Sequence, residues 1–171
     1  IEANRQRESV YTRKLAEKVV EDYERYYVVL TSHLVAYTAF QILRKMHPSM
    51  DLYALLRLPV DMLSIPMHVF RKTFLTILDI LREMEAQKMI RLQDELHTLA
   101  PDDMIRNGVK YLGSFHAVWP LKFGDNDNII ARNPMLVFYY HNRLSGFHIE
   151  DRITWDMEGI HLAQDRIQES A

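Results

Sequence analysis

The sequence predicts a mainly α-helical fold, one domain, with a small antiparallel β-hairpin near residues 115–132. Three observations predict it. Apolar residues recur at helical spacing in several separated stretches, most clearly Val69/Phe70, Phe74, Ile77/Leu78, Leu81 and Met84. Helix starts and stops are written around such stretches: Pro101-Asp102-Asp103 opens one, and Asn133-Pro134 opens another that Gly146 closes. Strand-like runs are confined to Phe115–Phe123 and Ile129–Arg132, around the turn Gly124-Asp125-Asn126-Asp127. A helix followed by such a hairpin is the layout of a winged-helix element.

Composition narrows the class. The 171 residues fit one domain, and 48% apolar content can bury a core. A net charge of −2 argues against broad electrostatic attraction to nucleic acid. The absence of cysteine removes disulfides, thiolate metal sites and cysteine nucleophiles. Glycine is scarce, and neither a P-loop nor a dinucleotide fingerprint is present. Nothing calls for a cofactor. The chain starts at Ile1 without a signal peptide, and we read it as an excised part of a longer protein.

In chain order, residues 5 to about 26 read as a helix with a stripe through Val10, Leu15, Val19, Tyr23 and Tyr26, supported by the Arg13–Glu17 pair. Residues 26–43 carry no formal charge over eighteen positions, close to a minimal membrane span. Thr31, Ser32, His33, Thr38 and Gln41 interrupt the run. The reading preferred is a short extended piece, Val28-Val29-Leu30, then a buried helix from His33 to Met46 with Thr31 or Ser32 as N-cap. His47-Pro48 stops it. Ser49 would cap a short helix over Met50–Leu58, and Asp61–Ile65 would be a connector. Pro66 would open a long helix to about Lys88, with Ile90-Arg91-Leu92 a short strand beyond it.

Pro101 at N1 with acids in the first turn starts a helix that runs to Gly113. Asn133 caps the next helix, whose inward stripe would be Leu136, Tyr140 and Leu144, flanked by Met135 and Val137. Gly146 sits where a left-handed C′ residue would end it. Residues 151–171 form a tail with a helix from about Thr154, weakened by Gly159.

His97-x4-Asp102 has the spacing at which glycerolipid acyltransferases hold a histidine general base and its orienting aspartate. Asp102 is better explained as a helix-start acid beside Pro101, so a catalytic role for His97 and Asp102 is disfavoured. Histidines are scattered rather than clustered, so no metal site is expected. Lys110, His116, Lys122 and Arg143 are candidates for an anion or interdomain contact, as are His33 and His141. A solvated face is the plainer reading. The tyrosines at 26, 27, 37, 139 and 140 read as core-edge aromatics rather than a nucleic-acid stacking platform.

Four separated stretches share a further property. TSHLVAYTAF (31–40), DLYALLRLP (51–59), GVKYLGSFHAVWPL (108–121) and FYYHNRLSGF (138–147) resemble, in this order, the C-terminal region of the membrane-associated glycerol-3-phosphate acyltransferases. The likeness covers most of residues 10–150 and leaves 151–171 unmatched. It implies a parent enzyme that transfers an acyl group from acyl-CoA or acyl-carrier protein to the 1-hydroxyl of glycerol 3-phosphate, in phospholipid synthesis at the cytoplasmic face of the inner membrane. The family's catalytic His-x4-Asp block belongs to an upstream acyltransferase domain that this chain lacks. The resemblance therefore implies a non-catalytic C-terminal domain, soluble as a fragment and inactive alone. Its expected partner is that upstream domain, with the membrane surface and acyl-carrier protein as further candidates and no nucleic acid. The runner-up is a winged-helix-like protein or nucleic-acid interaction module.

Overall fold

The computed structural model describes residues 2–25 and 27–170. Helix α1 covers Glu2–Arg25, strand β1 Val28–Val29 and helix α2 Thr31–Met46. Helix α3 (Leu52–Leu55) and a 3-10 turn (Val60–Leu63) lead to β2 (Ser64–Pro66) and α4 (Met67–Ala86). There follow β3 (Arg91–Leu92), α5 (Glu95–Thr98), α6 (Pro101–Gly113), β4 (Leu121–Phe123), β5 (Asn128–Ala131) and α7 (Pro134–His141). Two 3-10 turns, Ser145–Phe147 and Ile149–Arg152, precede α8 (Met157–Ser170).

Helix α2 is the centre of the molecule. Every residue from Leu34 to Leu43 is buried, as befits a helix that is apolar all round. The uncharged run that looked long enough for a membrane thus divides into β1 and this core helix. No helix is long and apolar enough to cross a membrane among the described residues. Buried polar members of the run are satisfied inside the protein: the Thr38 hydroxyl donates to the Leu34 carbonyl at 2.8 Å, and Gln41 meets His141. The N-cap is Leu30, one position earlier than expected. Thr31 already belongs to the helix, because its backbone N–H donates to Gln93 Oε1 at 3.0 Å and its hydroxyl bonds Glu95. These contacts lock the helix start to the segment after β3, which pairs in parallel with β1.

Around α2 pack α4, α6, α7 and α8. Gly108 lets α6 cross closely: a Cβ there would lie 2.6 Å from Val35 Cγ1 and 2.9 Å from the Thr31 carbonyl oxygen. The core face of α4 is the expected one, Val69, Phe70, Phe74, Ile77, Leu78, Leu81 and Met84, all buried. Helix α1 is different. Residues 4–19 are exposed throughout, Val10, Tyr11, Leu15 and Val19 included. Arg13 pairs with Glu17 at 3.6 Å. The expected stripe continues to Tyr23 and Tyr26. Tyr26 lies outside the described residues, as do the side chains of residues 20–25.

The hairpin is present but shorter, and a third strand joins it. β4 pairs with β5, and β2 pairs with the other edge of β5, in the order β2-β5-β4, all antiparallel. The segment 61–65 is therefore more than a connector. Pro66 ends an edge strand, where its missing N–H costs no ladder bond, and also opens α4 as its N-cap, as expected. The expected strand from Phe115 begins only at Leu121, because Trp119 folds back onto Gly113 of α6; a Cβ on that glycine would sit 2.3 Å from the indole ring.

Other boundaries shift for local reasons. Asp51, not Ser49, caps α3 by accepting from the Ala54 N–H at 2.8 Å. α4 stops at Ala86 in a paired C-cap: the Met89 N–H reaches the Met84 carbonyl and the Lys88 N–H the Glu85 carbonyl, with Lys88 at φ 60°. α8 begins at Met157, with the Asp156 carboxylate accepting from the Gly159 N–H at 3.2 Å.

Candidate functional site at the interface of helices α2 and α7

Asn133 and Pro134 start α7 as the sequence predicts, the Asn133 side chain accepting from the Leu136 N–H at 3.1 Å. The helix presents a different stripe, however. Val137, His141 and Leu144 are buried, Leu136 and Tyr140 are half-buried, and Met135 is exposed. Gly146 does not adopt a left-handed conformation; His148 does, at φ 52°. The reason lies in the last turn, which tightens through i→i+3 bonds from Arg143 to Tyr140, Leu144 to His141 and Phe147 to Leu144. The chain thus passes into 3-10 winding before a left-handed stop is needed.

This rotation puts His141 in the core, only 4% exposed. Its ring stacks on Tyr37 of α2 with centroids 4.8 Å apart and planes 4° apart, and lies 4.6 Å from the Phe40 ring. Both nitrogens are used. Nδ1 is 3.1 Å from Asn142 Oδ1, and Nε2 is 2.9 Å from Gln41 Nε2. A carbonyl oxygen can only accept and an amide nitrogen can only donate. Nδ1 therefore carries the proton and Nε2 offers its lone pair, so the ring is neutral. Burial lowers its pKa to about 4, against the hydrogen bond from Nδ1 to Asn142, which favours the proton, with the nearby Arg44 charge lowering it further.

Next to it the Tyr37 hydroxyl donates to Glu150 Oε2 at 2.7 Å. Burial raises the phenol's pKa well above its ordinary value, and the bond to Glu150 adds to the rise. For Glu150, burial favours the neutral acid, but the hydrogen bonds from Tyr37 and from its own backbone, and the charge of His148, outweigh it and keep the carboxyl below its usual range. A ladder Gln41–His141–Tyr37–Glu150 thus ties α2 to α7 and to the turn before α8.

Of the other expected contact residues, His33 lies at the start of α2, where its Nδ1 accepts from the Leu30 N–H at 3.4 Å. Burial, and then the charge of Arg143, lower its pKa to about 4. Arg143 is exposed but held: its guanidinium lies 5.4 Å over the Tyr139 ring and bonds the Tyr139 hydroxyl at 3.1 Å. Its carbonyl accepts from the Tyr27 hydroxyl at 2.6 Å. His116 Nε2 meets the Tyr140 hydroxyl at 2.9 Å, joining the loop after α6 to α7. The structure therefore brings His33 and Arg143 together at one end of the interface. It joins His116 to Tyr140 on the same helix and sets His141 inside. Lys110 and Lys122 stand apart. Lys110 is exposed on α6, and Lys122 borders a cleft beside the hairpin.

His97 and Asp102 do not meet as a dyad. His97 Nε2 is 2.9 Å from Glu85, while Asp102 takes the Arg71 guanidinium at 2.6 Å. Among the described residues no three histidine, aspartate or glutamate side chains are grouped to hold a metal ion. Reading the sequence did not find Gln41, Tyr37 and Glu150 as partners of His141. The one signal available was a polar glutamine inside an otherwise uncharged buried helix, which requires a partner. No family model, no curated protein and no solved structure matches the chain.

Proposed function

We propose that this chain is a non-catalytic C-terminal domain of a glycerol-3-phosphate 1-O-acyltransferase, which supports the domain that performs acyl transfer. The observation that carries the reading is the convergence of three resembling stretches. Residues 31–40 form most of α2, 108–121 contribute the Gly108 crossing and the His116 loop, and 138–147 supply His141 and Tyr140. Helix α2 packs against both α6 and α7. Their histidines are committed to the fold: His141 is held neutral by two side chains, and His33 is neutral beside Arg143. Such an assembly suits a rigid support more than a proton-transfer centre, which needs a base poised near the working pH. His97 and Asp102, each engaged elsewhere, offer no such base-and-orienter pair.

The test is an acyl-transfer assay of the purified chain with glycerol 3-phosphate and either acyl-CoA or acyl-carrier protein as donor. No turnover above the buffer rate is expected from the chain alone. Turnover that disappears in a His97→Ala variant overturns the reading and makes this a small enzyme. The winged-helix alternative gains no support from α6, whose exposed side chains mix Asp102 with Arg106 and Lys110 and whose other face is occupied by α2.

A further inference from the structure

Three side chains with unused donors stand where the end of α7 meets the start of α2. Arg143 is fixed there. Its guanidinium lies 5.4 Å from the Tyr139 ring centre and donates to the Tyr139 hydroxyl at 3.1 Å, and its carbonyl takes the Tyr27 hydroxyl at 2.6 Å. That leaves Nε and Nη1 without a partner among the described residues. Arg71, Arg106 and Arg152 each face a carboxylate; among the described residues Arg143 faces none. The Tyr139 hydroxyl accepts from Arg143, and its own O–H is unused among the described residues.

His33 supplies the third donor. Its Nδ1 accepts from the Leu30 N–H at 3.4 Å, so the neutral ring carries its proton on Nε2, which likewise has no partner among the described residues. The ring is half-buried, and the guanidinium is close enough to act on it: burial first and the Arg143 charge second lower its pKa to about 4. No carboxylate offsets that charge at His33 among the described residues. Glu95, the acid bound to the first residue of α2, is occupied by Thr31, Asn107 and Tyr111.

We propose that His33, Tyr139 and Arg143 form a binding site for a phosphate group. Each side chain offers a donor and the one full charge is positive, so the ligand is an anion rich in acceptors. A phosphate presents three acceptor oxygens and close to two negative charges at neutral pH, an oxygen for each side chain; a carboxylate has two oxygens and one charge. An arginine laid on an aromatic ring keeps its fork pre-set for such an oxyanion. The proposal stands on these three side chains and is independent of the acyltransferase reading.

The experiment is titration of the full chain with sodium phosphate, at constant ionic strength made up with sodium chloride, read by nuclear magnetic resonance of the histidine ring and arginine Nε nitrogens. Saturable shifts at His33 and Arg143 are expected, with a dissociation constant on the order of millimolar and a smaller response to acetate. Bound phosphate favours the charged imidazole, so the His33 pKa should rise in its presence. Arg143→Gln should weaken binding about tenfold and Tyr139→Phe about threefold. Tyr139→Phe removes one oxygen from an exposed ring, so it decides the matter if Arg143→Gln disturbs the circular dichroism. A soluble sugar phosphate should bind like the free ion; a much tighter response to vesicles of phosphatidic acid would identify a lipid headgroup as the source of the same group. Shifts that grow without saturating, that acetate reproduces in full, or that survive both substitutions overturn the proposal.

Discussion

His141 is the residue on which burial and polarity conflict most directly. Its folded-state pKa of about 4 lies below the ordinary value of 6.5. In neutral solution the ring is uncharged in both the folded and the unfolded chain. As pH falls through the ordinary value the unfolded chain takes up a proton that the folded chain refuses, so stability falls until the folded ring also protonates near the lower value. His33 acts in the same direction across the same window. Glu150 and Asp156, both lowered, lose their contribution lower still, as pH falls from the ordinary carboxylate value through their depressed ones. Urea unfolding at about pH 7.5 and about pH 5 should therefore show a loss of about 2 kcal/mol from His141 alone. His141→Gln, which keeps a polar side chain without a titrating one, should be less stable at the higher pH and lose less between the two. Equal losses in both proteins would mean that the buried ring does not titrate as its surroundings require. None of this was legible from the residue itself, because the sequence marks His141 as the last turn of a helix, where a charged histidine would suit the dipole. Its burial comes from a one-residue rotation of the inward stripe, to Val137 and His141 in place of Leu136 and Tyr140, with Leu144 buried as expected.

Elements were legible where a strong local signal and the tertiary demand agree. α6 runs from Pro101 to Gly113 as its proline, its acids and its glycine specify. The core face of α4 follows its apolar period. The failures sit where a long-range partner decides. Gln93 and Glu95 draw Thr31 into α2, Trp119 removes two thirds of an expected strand, and β2 forms because β5 offers it an edge. The end of α4 was hidden for another reason. Its stop is a left-handed residue, and the position holds lysine where glycine would have announced it. A side chain at φ 60° is disfavoured, and Lys88 is exposed, its ammonium in no ion pair among the described residues. Lys88→Gly should raise stability by roughly 0.5–1 kcal/mol. A thermal melt that moves downward instead would show that the lysine side chain supports the C-cap.

For the molecule as a whole, fold class was the most accessible property, since it needs only the number and period of apolar stretches. A helical body with a small antiparallel sheet is what forms. The contact residues were harder, because the sequence does not say which face of a helix a neighbour will cover. His33, His116, His141 and Arg143 gather along α2 and α7, while Lys110 and Lys122 do not join them.

The central place of α2 also bears on how the chain is made. Synthesis delivers its thirteen uncharged residues, 31–43, early, but the ring that stacks on Tyr37 and the acid that takes its hydroxyl arrive about a hundred residues later, at His141 and Glu150. At ribosomal rates of about 5–20 residues per second the gap is several seconds or more. During that interval a helix that the finished fold buries has no α7 to cover it. The nascent chain is then a natural client for a chaperone that holds exposed apolar segments. A chain cut before Asn133 should accumulate as aggregate when expressed, while one cut after Arg152, which retains both partners, should stay substantially more soluble. Equal solubility of the two truncations in a pelleting assay would show that α4 and α6 suffice to shield α2.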